Sequence, residues 1–181
     1  NIALANEFAR AADAHGIDVS EVIAAANSQP YSHIHQPGIG VGGHCIPVYP
    51  HLLLARAPGL RLVETAREVN DGQTGRAIAS LRAILGDLAG APVLVLGITY
   101  REGVKELAYS RALAWSWGEP GPFRAVMAQT ADRAFAGLDP AWFPALAAVY
   151  DGRNSLRGLP LPDDVAYVGV GIQAATRGEP A

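Results

Sequence analysis

The apolar pattern of this chain changes period near Gly90, and that change limits the folds open to it. Before Gly90, apolar residues recur at three- and four-residue spacing, the mark of helices that bury one face. Leu4, Phe8, Ala11, Ala12 and His15 follow that spacing, and Gly16 is placed to end the helix. Asp18 stands three residues before Glu21, a capping-box spacing, ahead of a second apolar face of Val19, Val22, Ile23 and Ala26. The stretch from Asn27 to Cys45 reads as a glycine-rich loop. The spacing then predicts a short helix over residues 52–57. Over residues 60–88 it predicts one long helix, or a pair broken near Gly72 or Gly75, because glycine costs about 1 kcal/mol inside a helix. Leu62, Val63, Ala66 and Val69 form its first stripe, and Ile78, Leu81, Ile84, Leu85 and Leu88 continue it. After Gly90, Pro92 to Gly97 is a short, wholly apolar run closed by glycine, which fits a buried strand of an α/β sheet. Residues 123–128, 147–150 and 165–168 are weaker strand candidates. Residues 111–117, 132–136 and 141–146 are short helices between them. The expectation is an all-helical first half and a small α/β second half.

Of 181 residues, 50% are hydrophobic and 17% charged, enough apolar mass for a sizeable core and a composition that reads as soluble and globular. Fourteen basic and seventeen acidic side chains give a net charge of −3 with no basic stripe, which argues against binding nucleic acid through phosphates. No apolar run approaches the roughly 20 residues of a membrane span, and no signal peptide is visible. The single cysteine excludes an intramolecular disulfide and suits a reducing compartment, so a cytoplasmic location is expected. Lys105 is the sole lysine, so a mechanism needing another must find it elsewhere. The chain opens at Asn1 in what reads as mid-helix, and it is expected to be a piece of something longer.

The densest signal is the run from Pro37 to Pro47: Pro-Gly-Ile-Gly-Val-Gly-Gly-His-Cys-Ile-Pro. Gly38, Gly40 and Gly43 formally match the dinucleotide fingerprint, but that fingerprint needs a strand before it and a helix opening on it. A loop with His and Pro precedes it here, so that reading fails. Gly169, Gly171 and Ala174 do follow a strand candidate, but too little chain remains for the helix that must come next. What glycines can do is let backbone approach a ligand closely and present the next side chains at a tip. Those side chains are His44 and Cys45. An exposed thiol among cationic or dipolar neighbours is a nucleophile, whereas a lone cysteine is more often a small buried hydrophobe. His33, His35, His44, Cys45 and His51 also raise the possibility of a metal, but none of their spacings matches the usual zinc pairs, and no metal is expected.

These residues resemble the UDP-glucose/GDP-mannose dehydrogenase family. Asn1 to Phe8, then Gly16 to Val19 with Glu21-Val22-Ile23 and Ala26-Asn27, then Pro37 to Pro50, are similar to its central domain. Val93 to Arg101 resembles the opening strand and loop of its C-terminal domain, and Asp151-Gly152-Arg153-Asn154 resembles a signature there. His before the cysteine, with Ile-Pro after it, looks more like the branch acting on UDP-N-acetylhexosamines than the UDP-glucose branch. The resemblance implies a helical central, dimerising domain over residues 1–88 and a shortened Rossmann-like α/β domain over residues 89–181 that binds the UDP-sugar. It implies a homodimer through the helical domain. It implies an oxidoreductase that uses NAD twice to turn C6 of a nucleotide sugar into a carboxylate, through a thiohemiacetal and a thioester. Cys45 then matches the nucleophile. Gly38, Gly40, Gly42, Gly43 and His44 match the substrate loop, and Tyr100, Arg101 and Arg153 match substrate contacts from the second domain.

Several features depart from the family. Its NAD-binding domain and its Lys-x-x-x-Asn pair would lie before Asn1, so this chain alone is expected to be inactive. Tyr49 stands where the family has an Asp that positions the hydrolytic water, and Ala108-Tyr109-Ser110 stands where it has Arg-Glu-Ser. Its second strand and helix are missing between about Trp115 and Phe123. The alternative is therefore a catalytically dead relic that only dimerises or binds UDP-sugars.

Overall fold

A computed structural model describes residues 1–99 and 123–175. Five helices come first: α1 (Ile2–His15), α2 (Val19–Asn27), α3 (Cys45–Arg56), α4 (Arg61–Asp71) and α5 (Gln73–Leu85). Five strands follow: β1 (Val93–Leu96), β2 (Ala125–Ala128), β3 (Ala148–Asp151), β4 (Ala166–Gly169) and β5 (Ile172–Ala175), with 3₁₀ turns at Arg133–Gly137 and Pro140–Trp142. Tyr100, Arg101, Lys105, Ala108 to Ser110, the helix expected over 111–117 and most of the stretch expected to lack a strand and helix lie outside the described residues.

The strands form one sheet in the order β1-β2-β3-β4-β5. The first four run parallel, and β5 returns antiparallel on β4. Side chains alternate across a strand, so each strand feeds both faces. Ala125 and Met127 of β2 join Ala5, Ala9 and Ala12 of α1, Val19 and Ile23 of α2, and Ala77 and Leu81 of α5 in one cluster. Val126 and Ala128 face the other way, onto Leu138, Phe143, Leu146, Leu156 and Leu159. With both faces covered, β2 and β3 are buried throughout, as a parallel sheet requires. The helical half and the sheet thus share a core, and the small alanines of α1 let that helix lie close against it.

Local signals explain most of the helix ends. Gly16 closes α1 at φ 67°. Asp18 caps α2 by accepting the Ser20 N–H at 2.7 Å. The same carboxylate takes both guanidinium ends of Arg157, at 2.6 and 3.1 Å, tying α2 to the β3–β4 connection. Burial pushes the Asp18 carboxyl up, but the bonds from Arg157 and Ser20 outweigh it and hold the group below its usual value. The 60–88 segment is a broken pair, with the break at Gly72. Gly75 lies inside α5.

Two expectations need correction. The short helix expected over 52–57 begins seven residues earlier, at Cys45. Pro47 sits in its first turn, where no backbone N–H is needed, and Pro50 deeper inside is compensated as described below. The β5 strand was not anticipated. Val170-Gly171 makes the tight turn from β4 to β5, with Gly171 at φ 71°. A Cβ there would stand 2.6 Å from Val19 Cγ1 and 2.8 Å from Ala9 Cα, so only glycine lets this turn seat on α1 and α2.

Candidate functional site

The glycine loop leaves α2 and is fastened at both ends by buried polar side chains. Asn27 first holds the approach, donating to the Ile34 carbonyl at 2.9 Å and accepting the Ile34 N–H at 2.8 Å. At Gly38 the backbone N–H donates to Asn6 Oδ1 at 2.9 Å, and Asn6 Nδ2 donates to Asn70 Oδ1 at 2.9 Å. Asn6 is fully buried in α1, and Asn70 is buried in α4. Ile39 then drops into the core. At the far end, Arg67 of α4 donates to the Ile46 carbonyl at 3.2 Å. Pro50, four residues on, lacks the N–H that would have used that carbonyl, so Arg67 replaces the lost helical bond. Asp71 accepts from the other side of the guanidinium.

The sheet meets this loop through the Asp-Gly-Arg-Asn turn after β3. Asp151 is fully buried and accepts the Arg153 N–H at 3.2 Å, the Leu156 N–H, and the Tyr167 hydroxyl at 2.8 Å. Burial, together with the Asp151 carboxylate, pushes the Tyr167 hydroxyl up, so it stays protonated and remains a donor. Gly152 permits close approach: a Cβ there would stand 2.5 Å from the Ala128 carbonyl and 3.1 Å from Ile39. Asn154 takes the left-handed conformation at φ 54° and exchanges two bonds of 3.0 Å with the backbone of Val170. Three of the four residues therefore build the turn, and the fourth, Arg153, is presented by it. Its guanidinium lies over Gly38, where a Cβ would come within 2.7 Å of Nη1.

Between loop and sheet lies a cleft of about 560 Å³. Gly40, Val41, Gly42 and Ile46 form one wall, and Gln129, Thr130, Ala131 and Arg153 the other. This wall stands at the carboxyl ends of parallel strands, where open α/β sheets bind ligands. Gly97, at φ 77°, lets the end of β1 crowd against Thr130, whose Oγ1 would be 2.0 Å from a Cβ at Gly97.

Of the residues singled out in the sequence, Gly40, Gly42 and Arg153 line this cleft together, and Gly38 touches Arg153. Gly43, at φ 86°, turns the chain into α3. His44 stands at the N-cap position of α3 without a side-chain capping bond, and Cys45 is the helix's first residue, exposed and with a free thiol. Both follow the cleft residue Gly42 and precede Ile46, but neither lines the cleft itself. Tyr49 is 59% exposed, one turn beyond Cys45 on the same face of α3. Among the described residues, no three side chains of His, Cys, Asp or Glu come together to hold a metal ion. No helix among them is long and apolar enough to cross a membrane.

Sequence reading missed Asn6, Asn70, Arg67, Gln129 and Thr130. A signal existed for the first three. Asn6 interrupts a run of buried alanines in α1, and Arg67 and Asn70 stand three apart on one face of α4. Gln129 and Thr130 left no mark beyond following a strand.

Residues 1–72 match the UDP-glucose/GDP-mannose dehydrogenase family, central domain. Among curated proteins, the UDP-N-acetyl-D-mannosamine dehydrogenase of Methanocaldococcus jannaschii is 40% identical over 112 residues, covering 62% of this chain and 26% of that protein. The enzyme of the same name from Pyrococcus horikoshii is 42% identical over 118 residues, covering 62% and 28%. Among solved structures, a UDP-D-ManNAc dehydrogenase from Pyrococcus horikoshii superposes with a TM-score of 0.80 at 30% identity, over 94% of this chain and 48% of that one. A UDP-N-acetyl-mannosamine dehydrogenase from Staphylococcus aureus gives 0.73 at 26% identity, over 94% and 46%. The matched part is thus about a quarter of the length of these curated relatives and about half of the solved chains. Residues 1–72 thus match the family's central domain, and the helices and the sheet together share the fold of a solved UDP-D-ManNAc dehydrogenase that is 30% identical.

Proposed function

We propose that this chain holds the substrate and carries the nucleophile of an NAD-dependent nucleotide-sugar 6-dehydrogenase acting on a UDP-N-acetylhexosamine. The names of the relatives support the substrate class. The observation that carries the reading is the cleft in which Gly40, Gly42 and Arg153 converge, with Gly42 three residues before Cys45. The backbone of the glycine loop can approach a sugar without side chains in the way, and the planar fork of Arg153 suits the paired oxygens of a diphosphate. Tyr100 and Arg101 are proposed as further substrate contacts. Residues 1–88 act as the central domain and residues 89–181 as the UDP-sugar domain.

Cys45 attacks the aldehyde carbon at C6. A C–S bond forms, the carbonyl π pair moves onto oxygen, and the free backbone N–H groups at the start of α3 are suited to stabilise that charge. The residues described here do not fit NAD. Gly38, Gly40 and Gly43 run between two helices with no strand before them, and Gly169 and Gly171 belong to a hairpin. Hydride transfer is therefore not assigned to them, and the cofactor is proposed to sit on a separate dinucleotide-binding domain. A free, exposed thiol fits a reducing compartment such as the cytoplasm.

The test is nucleotide binding by calorimetry. Arg153→Ala is expected to weaken UDP binding by about 1.5–3 kcal/mol, roughly 10- to 150-fold, the worth of a charge-assisted hydrogen bond. Unchanged affinity would remove the sheet wall from the site. Tyr49 favours a second reading, a protein that binds UDP-sugars without turning them over, and UDP affinity with no thiol chemistry would support it.

The protein is also proposed to dimerise through its helical half. Leu62 of α4 is 89% exposed, and Leu52 and Leu53 of α3 and Leu60, just before α4, are exposed as well. A stable pair needs about 1,000 Å² or more of buried surface. Sedimentation is expected to show a dimer at micromolar concentration and a monomer for Leu62→Glu. A wild-type monomer would contradict the proposal.

A further inference from the structure

Arg67 is buried in α4, and its Nε is the one buried side-chain nitrogen or oxygen among the described residues without a hydrogen-bond partner. Nη1 donates to the Ile46 carbonyl at 3.2 Å, and Nη2 pairs with Asp71. The walls around it are largely apolar, with Ile2, Ala3, Pro50, Val63 and Ala66 among them. Taking a guanidinium out of water is costly, and a packed apolar side chain of similar volume is often at least as stable. An unmatched N–H adds to that cost. Stability alone does not account for a cation here. What an apolar residue would not supply is the bond to Ile46.

The helix at the other end of that bond is weakly held without it. Of the 12 residues of α3 only Pro47 is buried, and the helix rests on α4. His44 gives its first turn no side-chain capping bond. Pro47 has no N–H to give. A helical N–H bonds the carbonyl four residues before it, so the Ile46 carbonyl would take the N–H of residue 50, which is proline. Arg67 takes that place from the neighbouring helix, and Asp71, one turn further along α4, holds the guanidinium in line. Ile46 follows Cys45 directly and lines the cleft. A bond at its carbonyl therefore fixes the backbone between the thiol and the cleft wall.

We propose that Arg67 is a positioning residue for Cys45. Through the Ile46 carbonyl it holds the first turn of α3 and so sets where the thiol stands at the edge of the cleft. The proposal rests on Cys45 being the nucleophile. Arg67 itself does not line the cleft.

Pro50→Ala makes the test specific, because it returns the backbone N–H that Arg67 replaces. Carbon-13 chemical shifts of this chain report helical geometry residue by residue. Arg67→Met is expected to lose helical Cα shifts over residues 45–48 while residues 51–56 keep them. The double variant Arg67→Met/Pro50→Ala is expected to regain them. In a form that also carries the dinucleotide-binding domain, Arg67→Met should lower kcat about tenfold or more with KM within about threefold, and Pro50→Ala should restore most of the loss. A role confined to global stability predicts neither the restriction to the first turn nor the rescue. Arg67→Lys keeps the stem and the charge, but one ammonium cannot span Ile46 and Asp71 as the fork does, so it is read in the same way if Arg67→Met does not fold. The proposal is overturned if residues 45–48 keep their shifts in these Arg67 variants, or if Pro50→Ala restores neither shifts nor kcat. If the shifts respond as expected but alkylated Cys45 leaves turnover intact, the brace stands and the reading of Cys45 as nucleophile is what fails.

Discussion

Cys45→Ser is expected to abolish conversion of a UDP-sugar to its uronate. The loss should be at least about 1,000-fold, or about 4 kcal/mol of transition-state stabilisation, in any form of this protein that also carries the dinucleotide-binding domain. A serine hydroxyl needs a dedicated base to become a nucleophile, and none of the described residues bonds to the side chain at position 45. Tyr49 makes the expectation sharper. It lies one helical turn from Cys45 on the same face of α3, and it is exposed. If an acid at that position places the hydrolytic water, its loss slows breakdown of the thioester more than its formation. Rapid quenching followed by mass spectrometry should then trap a substrate adduct on Cys45, and Tyr49→Asp should shorten its life. Full activity after alkylation of Cys45 would mean that the thiol is not the nucleophile.

Asn6→Ala is expected to have the largest effect on stability. The substitution leaves the Gly38 N–H without an acceptor and Asn70 Oδ1 without a donor, both in the interior. Each stranded group costs about 1–3 kcal/mol, so a loss of about 2–6 kcal/mol should appear in chemical denaturation. The glycine loop should loosen as well, and UDP should bind more weakly. Asn6→Asp tests the same network differently: its carboxylate can still accept from Gly38 but turns an oxygen towards Asn70 Oδ1. It should be destabilising while preserving more of the nucleotide affinity. A stability change below about 0.5 kcal/mol for Asn6→Ala would show that the network is not what holds the loop.

Much of this architecture could be read from the residues because local and long-range signals agree. Gly16 and Asp18 mark helix ends by their own chemistry, and the short apolar runs ending near Gly97 and Asp151 became parallel strands on either side of β2. The reading failed where partners distant in sequence override a local rule. Pro47 and Pro50 disfavour a helix locally, yet α3 runs from Cys45 because Arg67, 21 residues beyond Ile46, takes the Ile46 carbonyl that Pro50 strands. Ile172–Ala175 gave a strand too short to notice, fixed by a glycine turn seated on two helices. At the candidate site, the glycines and Arg153 carried their own signal. The polar breaks in α1 and α4 marked the residues that hold them but not their partners: Asn6 reaches Asn70 across 64 positions, and nothing in either helix alone announces the pairing.

The account rests on the cleft between the glycine loop and the sheet. Its most direct test is a two-dimensional amide NMR titration of this chain with a UDP-N-acetylhexosamine. The account predicts that Gly38, Gly40, Gly42, Thr130 and Arg153 shift together and saturate at one concentration, with Cys45 responding at the edge of the set. It is contradicted if none of these amides shows a saturable shift.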